Sequence, residues 1–302
     1  MFHLGSAESI VGEDQSKAEA TLRTAILIAE AAKDDLTAAK AVTNLVFVLG
    51  YILGRTEEAG HWAALGQAIL DRVGGNQGRL RAWIDNNLAM GLVRSADFER
   101  ARKLAEESVL LKEQALGKEH SDLALSLGGL SYALVRGGHA AEALVAANRA
   151  IEIFLRNDPD VFDLGPAYSN QGEALNAMGQ PREAEKAFQR AVEVLSRNVG
   201  PTHPEFAFAL HGLGETKLAQ GAPAEAMRLF ADALRIREQP HSAPSLLAES
   251  QFGLARATWE AGSDRRRARQ LAESARDGYV KLAQAKQAAI ANTWLSTHKL
   301  GR

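Results

Sequence analysis

The chain has 302 residues, of which 46% are hydrophobic and 24% charged, with a formal net charge of −2 at pH 7. This charge gives no electrostatic basis for non-specific nucleic-acid binding. The absence of cysteine excludes disulfides, thiol nucleophiles and thiolate metal ligands. The most apolar run, residues 45–53, is too short to span a bilayer. We therefore expect a cytoplasmic protein that binds neither nucleic acid nor membrane.

The first predicted helix covers residues 14–33. Ala18, Leu22, Ala25 and Ile26 share one face at helical spacing and are predicted to point inward. If the spacing described next extends backwards, a turn falls at Gly12, and only about two helical turns fit before it. The chain is thus predicted to begin inside a repeat, either as a fragment of a longer protein or with an abbreviated cap.

From residue 37 onward, a turn signal recurs at steps of 41 or 42 residues. The turn position is held by Gly54, Ala96, Gly138, Gly179, Gly221 and Gly262. Alanine follows five residues later in every copy, and a small residue comes seven positions after that. Three registers that keep step over six copies indicate a repeat protein with one continuous core.

The third copy, residues 122–156, shows what one repeat contains. Its apolar rows are Leu123, Leu127, Leu130 and Leu134 in the first half and Ala143, Ala147, Ala150 and Phe154 in the second. Each row lies on one face of a helix. Gly137 and Gly138 separate the halves, where a cap and a tight turn need positive φ. We therefore predict two antiparallel helices, which the alanines allow to pack closely.

Residues 170–191 resemble the tetratricopeptide repeat, because NQGEALNAMG is followed after two residues by REAEKAFQRA. The common form repeats every 34 residues. The longer period here resembles the kinesin light chain variety, as do the linkers LGKEHSD at 116–122 and VGPTHPE at 199–205, although Ser121 replaces a proline. The resemblance implies an all-α, right-handed superhelical solenoid of antiparallel helix pairs. Similar arrays are carried on bacterial Ser/Thr protein kinases and signalling ATPases.

The predicted solenoid is one domain with three parts. Residues 1–36 form a partial N-terminal repeat, residues 37–283 form six full hairpins, and residues 284–302 form a capping helix and tail. The first helices are predicted to start near residues 37, 79, 122, 165, 205 and 245. The capping helix, Ala285 to His298, carries Ile290 and Trp294 among polar residues, as suits an end helix with one wet face.

No catalytic or metal-binding constellation survives inspection. Residues 119–122 read Glu-His-Ser-Asp, but adjacent residues cannot converge as a triad must, so a turn and helix cap are predicted. Residues 212–217 lack the full phosphate-loop spacing. His139 and Glu142 have no third metal ligand nearby. We predict no enzyme, cofactor or metal, and an enzyme with an unrecognised site is the weakest alternative.

In the family that the chain resembles, the first helix of each hairpin lines the concave side. Asparagine can donate to and accept from an extended peptide backbone, and tyrosine and arginine are typical anchors. Asn87 and Asn170 also match asparagines that hold peptide backbones in the kinesin light chain family. The predicted groove residues are Asn44, Asn87, Arg94, Tyr132, Arg136, Asn170, Glu173, Asn176, His211 and Glu215. The alternative is that these residues only cap and space helices.

The sequence therefore predicts a non-catalytic scaffold that binds an extended peptide or partner segment in the concave groove. A second hypothesis is a regulatory or substrate-recruiting domain of a larger bacterial signalling protein, such as a Ser/Thr kinase. Self-association and attachment to a kinase domain both stay open, and the ligand is not specified by these patterns.

Overall fold

The computed structural model describes residues 15–239, 244–282 and 284–300, and over these ranges every regular element is a helix. The helices are α1 Gln15–Ala31, α2 Asp35–Phe47, α3 Thr56–Val73, α4 Gly78–Arg94, α5 Phe98–Leu116, α6 Ser121–Arg136, α7 Ala140–Asn157, α8 Leu164–Ala177, α9 Pro181–Asn198, α10 Pro204–Ala219, α11 Pro223–Arg237, α12 Pro244–Glu260, α13 Arg265–Lys281 and α14 Ala285–Thr297. A π-helical segment, π1, continues α2 over Val48–Ile52.

Consecutive helices pack in pairs, and the pairs are the predicted hairpins. First helices begin at residues 35, 78, 121, 164, 204 and 244, each within two residues of its predicted start. The chain forms two compact units, unit 1 up to Pro159 and unit 2 from Asp160 onward. Unit 1 holds α1 to α7 and unit 2 holds α8 to α14. The division into residues 1–36, 37–283 and 284–302 stays a prediction.

The hairpin turns have the predicted backbone conformation. All five recurring glycines have positive φ, between 65° and 87°. Ala96, which replaces glycine in the second hairpin, has φ of 63°, so the turn imposes the left-handed conformation even on a residue with a Cβ. Gly137 differs from the expectation, because its φ is −80° and it continues the end of α6.

The small-residue registers lie where helices approach most closely. The first register is fully buried in all six hairpins and comprises Ala59, Ala101, Ala143, Ala184, Ala226 and Ala268. In the second register a Cβ added to Gly66 would lie 2.8 Å from side-chain atoms of both Val42 and Ile84. The repeat therefore keeps small residues here because a larger side chain would overlap the first helices.

The linkers at residues 116–122 and 199–205 each contain a histidine that caps the start of the following helix. Nδ1 of His120 accepts a hydrogen bond from the backbone N–H of Asp122 at 3.0 Å. Nδ1 of His203 accepts from the backbone N–H of Glu205 at 3.2 Å. Each bond satisfies an N–H group at a helix start that has no partner within the helix. The prediction of a turn and cap at residues 119–122 is confirmed.

The core of unit 2 is built around two phenylalanines seated on glycines. A Cβ on Gly172 or Gly212 would lie 2.6 or 2.2 Å from the ring of Phe188. One period later, Gly214 and Gly253 flank Phe230 in the same way, at 2.9 and 2.6 Å. Both rings are fully buried. Each ring therefore fills the space that the missing side chains of two first helices leave.

The last helix, α14, packs against the hairpin of α12 and α13. The ring of Trp294 lies edge-on to the ring of Trp259, with 5.7 Å between the centroids, and stacks on the ring of His298, with 4.3 Å between the centroids. Leu295 is buried, whereas Ile290 on the opposite side is 52% exposed. α14 therefore has one face that packs against the protein and one face that is exposed to solvent.

One stretch of the described residues, Asp35–Ile52, is long and apolar enough to cross a membrane by length and composition alone. This stretch is α2 with π1, and 56% of it is buried inside the protein. Core helices of soluble proteins meet the same criteria, so the stretch is weak evidence for a membrane span.

Candidate functional site

In unit 1, the first helices α2–π1, α4 and α6 pack side by side in that order. The predicted groove residue Asn87 lies on α4, buried at 5% exposure. Its Nδ2 donates to the backbone carbonyl of Thr43 on α2 at 3.0 Å, and its Oδ1 is buried without a hydrogen-bond partner among the described residues. Asn87 thus binds a peptide backbone, as its residue type suggested, but the backbone belongs to the neighbouring repeat.

Arg94, at the end of α4, also reaches the neighbouring repeat. Its guanidinium donates to the backbone carbonyl of Tyr51 in π1 and lies over the Tyr51 ring at 5.5 Å. The helices come close here because Gly91 faces Gly50, where a Cβ on Gly91 would be 2.9 Å from the Cα of Gly50. Arg94 therefore links α4 to the π-helical segment. The sequence pattern did not predict that segment.

The remaining predicted residues of unit 1 are more accessible. Asn44 on α2 and Tyr132 on α6 are half-buried, and Tyr132 packs against the core of unit 1. Arg136, one turn further along α6, is exposed. These three residues, with the Arg94–Tyr51 pair, line the first-helix face of unit 1, by which we mean the accessible side of α2–π1, α4 and α6.

In unit 2, two of the predicted residues, Asn176 and Glu215, contact the neighbouring first helix. Asn176 on α8 exchanges hydrogen bonds with Thr216 on α10, with Nδ2 donating at 2.9 Å and Oδ1 accepting at 3.2 Å. Glu215 on α10 receives two bonds from Arg256 on α12, at 3.0 and 3.1 Å. His211 lies 4.0 Å from Glu215. The Asn176–Thr216 and Glu215–Arg256 contacts connect successive first helices, which is the spacing role that the sequence left open.

Asn170 and Glu173, both on α8, are half-buried. With His211 they complete the predicted set within unit 2. Of the ten predicted residues, the structure therefore assigns Asn87, Arg94, Asn176 and Glu215 clear contacts between neighbouring repeats. Whether any of the ten binds a partner stays a prediction.

A buried polar centre in unit 1 was missed by the sequence analysis. Lys112 on α5 is fully buried, donates from Nζ to the carbonyl of Asp122 at 3.0 Å, and lies 3.2 Å from the centroid of the Trp83 ring. The Asp122 carboxylate accepts from Nε of Arg79 at 2.6 Å and from Trp83 at 3.3 Å. Burial lowers the pKa of Lys112 to about 7, against the opposing effect of Asp122.

The signal for this centre was present in the repeat register. Leu70 and Phe154 hold the positions one period of 42 residues before and after Lys112. In unit 2 the same register holds Leu195 and a buried arginine, Arg237. A lysine whose counterparts in the preceding and the following repeat are both buried apolar residues indicates a buried charge that needs partners. Here the partners come from α4 and α6, so they could not be read from α5 alone.

Asp85 on α4 is a second buried titratable group of unit 1. Its Oδ1 accepts from Nε2 of Gln67 at 2.9 Å. Burial raises the pKa of Asp85 to about 7, and the nearby Glu107 carboxylate acts in the same direction. Lys112 and Asp85 therefore both titrate near neutral pH inside the same unit.

The linker between α5 and α6 borders an open cavity of about 520 Å³, lined by residues 116–121 and Asn157. Nδ2 of Asn157 donates to the carbonyl of Glu119 at 2.7 Å, and Arg156 pairs with the Glu119 carboxylate at 2.6 Å. In the described part of the chain no three His, Cys, Asp or Glu side chains are grouped to hold a metal ion.

Paired helices with positive-φ turns and small-residue contacts at a fixed period define a repeat protein of the α-solenoid class. A family model described as tetratricopeptide repeat matches residues 80–156 and 163–239, about half of the chain. The chain therefore belongs to the tetratricopeptide repeat family. A search of curated protein sequences found no significant match.

Solved structures with the same fold share little sequence with the chain. A variant of a Podosopora anserina protein, described as a kinesin light chain with nearly identical repeats, is 23% identical with a TM-score of 0.52, covering 70% of this chain and 99% of its own. A Rap protein complexed with Competence and Sporulation Factor is 13% identical with a TM-score of 0.62, covering 98% and 96%.

A third relative is a signal transduction ATPase of the STAND class with a tetratricopeptide repeat sensor, from Pyrococcus horikoshii. It is 16% identical with a TM-score of 0.59, and the match covers 95% of this chain but 43% of that one. These likenesses show the fold alone. Tetratricopeptide repeat folds typically serve as protein–protein interaction scaffolds and are generally non-catalytic.

Proposed function

We propose that the chain is a non-catalytic scaffold whose first-helix face in unit 1 binds an extended segment of a partner protein. The observation that carries the proposal is that this face combines residues that join neighbouring repeats with residues at the surface. Asn87 and Arg94 contact the neighbouring repeat, and on α6 Tyr132 is half-buried and Arg136 is exposed at the surface. A rigid wall bearing an aromatic and a cationic anchor suits an extended ligand.

The partner segment is expected to carry acidic residues. Arg136 is exposed, and the guanidinium of Arg94 lies at the same end of its own first helix, in the last turn of α4. Carboxylates would approach these cations at the accessible surface, where salt screens their attraction. Tyr132 would contribute a rigid contact at low entropic cost, and Asn44 an amide for the peptide backbone. In this proposal Asn87 supports the wall through its bond to the carbonyl of Thr43, and its own contact with a ligand stays a prediction.

The test is a set of extended peptides that differ only in charge, measured by fluorescence anisotropy. Arg136→Glu is expected to weaken binding of acidic peptides by about tenfold or more, equivalent to roughly 1.4 kcal/mol, and binding of neutral peptides less. Tyr132→Ala should weaken both. The matched control is Arg182→Glu, because Arg182 is an exposed arginine on a second helix in the first turn of α9. Equal affinity of the parent and both face variants would refute the proposal.

A second candidate function is regulatory, as the recruiting or sensing part of a larger bacterial signalling protein. The Pyrococcus horikoshii relative supports only the attachment of such an array to a larger signalling protein, because the match covers 43% of that ATPase. A bacterial source stays a prediction. The reading frame upstream of Met1 decides this point: an ATPase or kinase domain encoded there would support the candidate, and a stop codon would remove it. A cytoplasmic location remains a prediction under either function.

A further inference from the structure

The end of unit 2 that contains α13 and α14 is basic in a chain that is otherwise acidic. Residues 261–302 carry nine basic and three acidic residues, whereas the whole chain carries 35 basic and 37 acidic residues. The part of the chain before residue 261 therefore has an excess of acidic residues. A concentration of one charge at one end of a molecule favours contact with a partner of opposite charge.

The first turn of α13 carries the densest part of this charge. Residues 265–267 are all arginine, and we call them the α13 arginines. All three are exposed, and none forms an ion pair with a carboxylate of the described residues. Further along the helix, Arg269 pairs with Glu273 and Arg276 pairs with Asp277. The α13 arginines are therefore cations without a carboxylate partner inside the protein.

Their position opposes the energetics of the helix. The first turns of α3, α5, α7, α9 and α11 each contain glutamate, whereas the first turn of α13 contains no acidic residue. The N-terminus of a helix has partial positive charge, so cations there destabilise it. The side chain of Asp264 caps α13 by accepting from the backbone N–H of Arg267 at 2.9 Å. Stability of α13 therefore accounts for Asp264 but not for the α13 arginines.

Aromatic rings from α12 and α14 border the α13 arginines. Cζ of Arg265 lies over the Trp259 ring, 5.1 Å from its centroid. The Trp259 ring lies edge-on to the rings of Trp294 and His298, at centroid distances of 5.7 and 5.2 Å. All three rings are half-buried. Because a guanidinium that stacks on a ring keeps its N–H edge open, Arg265 can still pair with a carboxylate.

Arg269 fixes the end of α14 to the same region. Its Nη1 donates to the carbonyl of Leu295 at 2.8 Å and to the carbonyl of His298 at 2.6 Å. Lys299 follows His298 in the chain and is exposed. We define the basic end patch as the α13 arginines together with Trp259 and Lys299. The patch therefore combines four exposed cations with one aromatic ring on a packed helical support.

We propose that the basic end patch binds a short, extended acidic segment of a partner protein. The planar fork of each arginine matches a carboxylate, and Trp259 offers a rigid surface to the main chain of the segment. A long polyanion fits less well, because it would also meet the acidic part of the chain before residue 261. The proposal does not rest on peptide binding at the first-helix face, since that face belongs to unit 1.

The first test is ¹⁹F NMR of the whole chain labelled with fluorotryptophan, which gives four signals because the chain has four tryptophans. Trp259→Phe assigns the signal of Trp259. The probe is an extended Gly/Ser peptide with interspersed glutamates, and the control peptide has glutamine in their place. The glutamate peptide should shift the Trp259 signal to saturation, and the glutamine peptide should not. An unmoved Trp259 signal, or equal shifts with both peptides, would overturn the proposal.

The second test assigns the binding to the arginines. Arg265→Glu combined with Arg266→Glu should weaken binding of the glutamate peptide by about tenfold, because it replaces two exposed attractions by repulsions. The matched control is Arg182→Glu combined with Arg228→Glu, which makes the same change in net charge at exposed arginines of α9 and α11. The control should bind like the parent. An equal loss in both double variants would indicate a general charge effect and would refute a defined patch.

Thermal melts separate a binding role of the arginines from a structural one. The double variant Arg265→Glu with Arg266→Glu should melt at the same temperature as the parent or higher, because glutamate suits the first turn of a helix. Arg265→Gln with Arg266→Gln should also weaken binding, although it adds no acidic group. A lower melting temperature in both double variants would show that the arginines stabilise α13, contrary to the proposal.

Competition identifies the class of partner. Oligothymidylate that displaces the glutamate peptide from the patch at lower concentration than a second glutamate peptide would assign the patch to nucleic acid and overturn the acidic-segment proposal. Arg136→Glu should leave the shift of the Trp259 signal unchanged. The two proposals therefore fail separately: loss of the Trp259 shift refutes the patch alone, and an unchanged affinity in the face variants refutes the first-helix face alone.

Discussion

The cores of the two units solve the same packing problem with different chemistry. Unit 2 places Phe188 and Phe230 on glycines of the neighbouring first helices. Unit 1 has Ala105 and Ala147 in that register, and it also buries Lys112, Asp85 and Asn87. Ser108 adds hydrogen bonds to the carbonyl of Ala82 and to Ser126, both at 2.8 Å. Unit 2 buries Arg237, which donates to the carbonyl of Leu246 and to the hydroxyl of Ser250.

The difference teaches that the repeat skeleton specifies where helices approach but not what fills the space between them. Apolar packing in unit 2 gains from area removed from water and depends little on pH. The buried polar groups of unit 1 depend on hydrogen-bond partners from neighbouring helices, and two of them titrate near neutral pH. Unit 1 is therefore expected to be the pH-sensitive part of the molecule.

The largest effect is expected from removing an aromatic ring in unit 2. Phe188→Ala should lower the free energy of unfolding by about 3–5 kcal/mol, because Gly172 and Gly212 offer no atoms to close the cavity. Urea denaturation followed by circular dichroism measures the loss. Val145→Ala, at an exposed position, should change stability by less than about 0.5 kcal/mol. A loss no greater than that of the control would mean that Phe188 is not a core residue.

Lys112→Met should change how the stability of unit 1 depends on pH. The folded-state pKa of Lys112 is about 7, below its ordinary value of 10.5. Between these values the unfolded chain binds the proton more tightly, so the parent gains stability as pH rises from 7 to 10.5. The gain is at most roughly 1.4 kcal/mol per pH unit, and the variant should lack it. Parallel stability curves for the two proteins would contradict a buried, unprotonated lysine.

Asp85→Asn provides the complementary measurement. The pKa of Asp85 is raised from 3.8 to about 7, so the folded state binds the proton more tightly and parent stability should fall as pH rises across that window. The asparagine variant should lack this fall. Because the two windows meet only near pH 7, denaturant midpoints measured at several pH values separate the two groups. If the stability of the variant fell between pH 3.8 and 7 as steeply as that of the parent, the pH dependence would belong to other groups.

A smaller effect distinguishes the links between first helices. Asn87→Ala in unit 1 should cost about 1–3 kcal/mol, since it leaves the buried carbonyl of Thr43 without this donor. Asn176→Ala in unit 2 should cost less, because Asn176 is half-buried and Thr216 keeps its bond to the carbonyl of Gly212 at 2.8 Å. Thermal melts of both variants rank them. A larger loss for Asn176→Ala would show that the Asn176–Thr216 bond contributes more to stability than the Asn87–Thr43 bond.

The smallest effect is expected at the Glu215–Arg256 pair. Both side chains are about one third exposed, so solvent screens their attraction and a double-mutant cycle with alanine should give a coupling of about 0.2–1 kcal/mol. The coupling should shrink at high salt. A coupling several times larger would mean that the pair is desolvated and acts like the buried links of unit 1.

The sequence by itself determined the repeat because its signals are local. Helical period, a turn residue and a small residue at each close contact act within one hairpin, so the spacing predicted the helix starts, the turn position at Ala96 and the buried alanine register. A turn and helix cap at residues 119–122 followed from the linker in the same way, and the structure shows that His120 is the capping residue. Family membership follows from the same repeated signals.

Only the tertiary structure decided how polar side chains are used, because their partners lie about 40 residues away on neighbouring repeats. Asn87 and Arg94 look like ligand-binding residues in sequence, yet each donates to a backbone carbonyl of the preceding repeat. The buried partners of Lys112 come from two other helices.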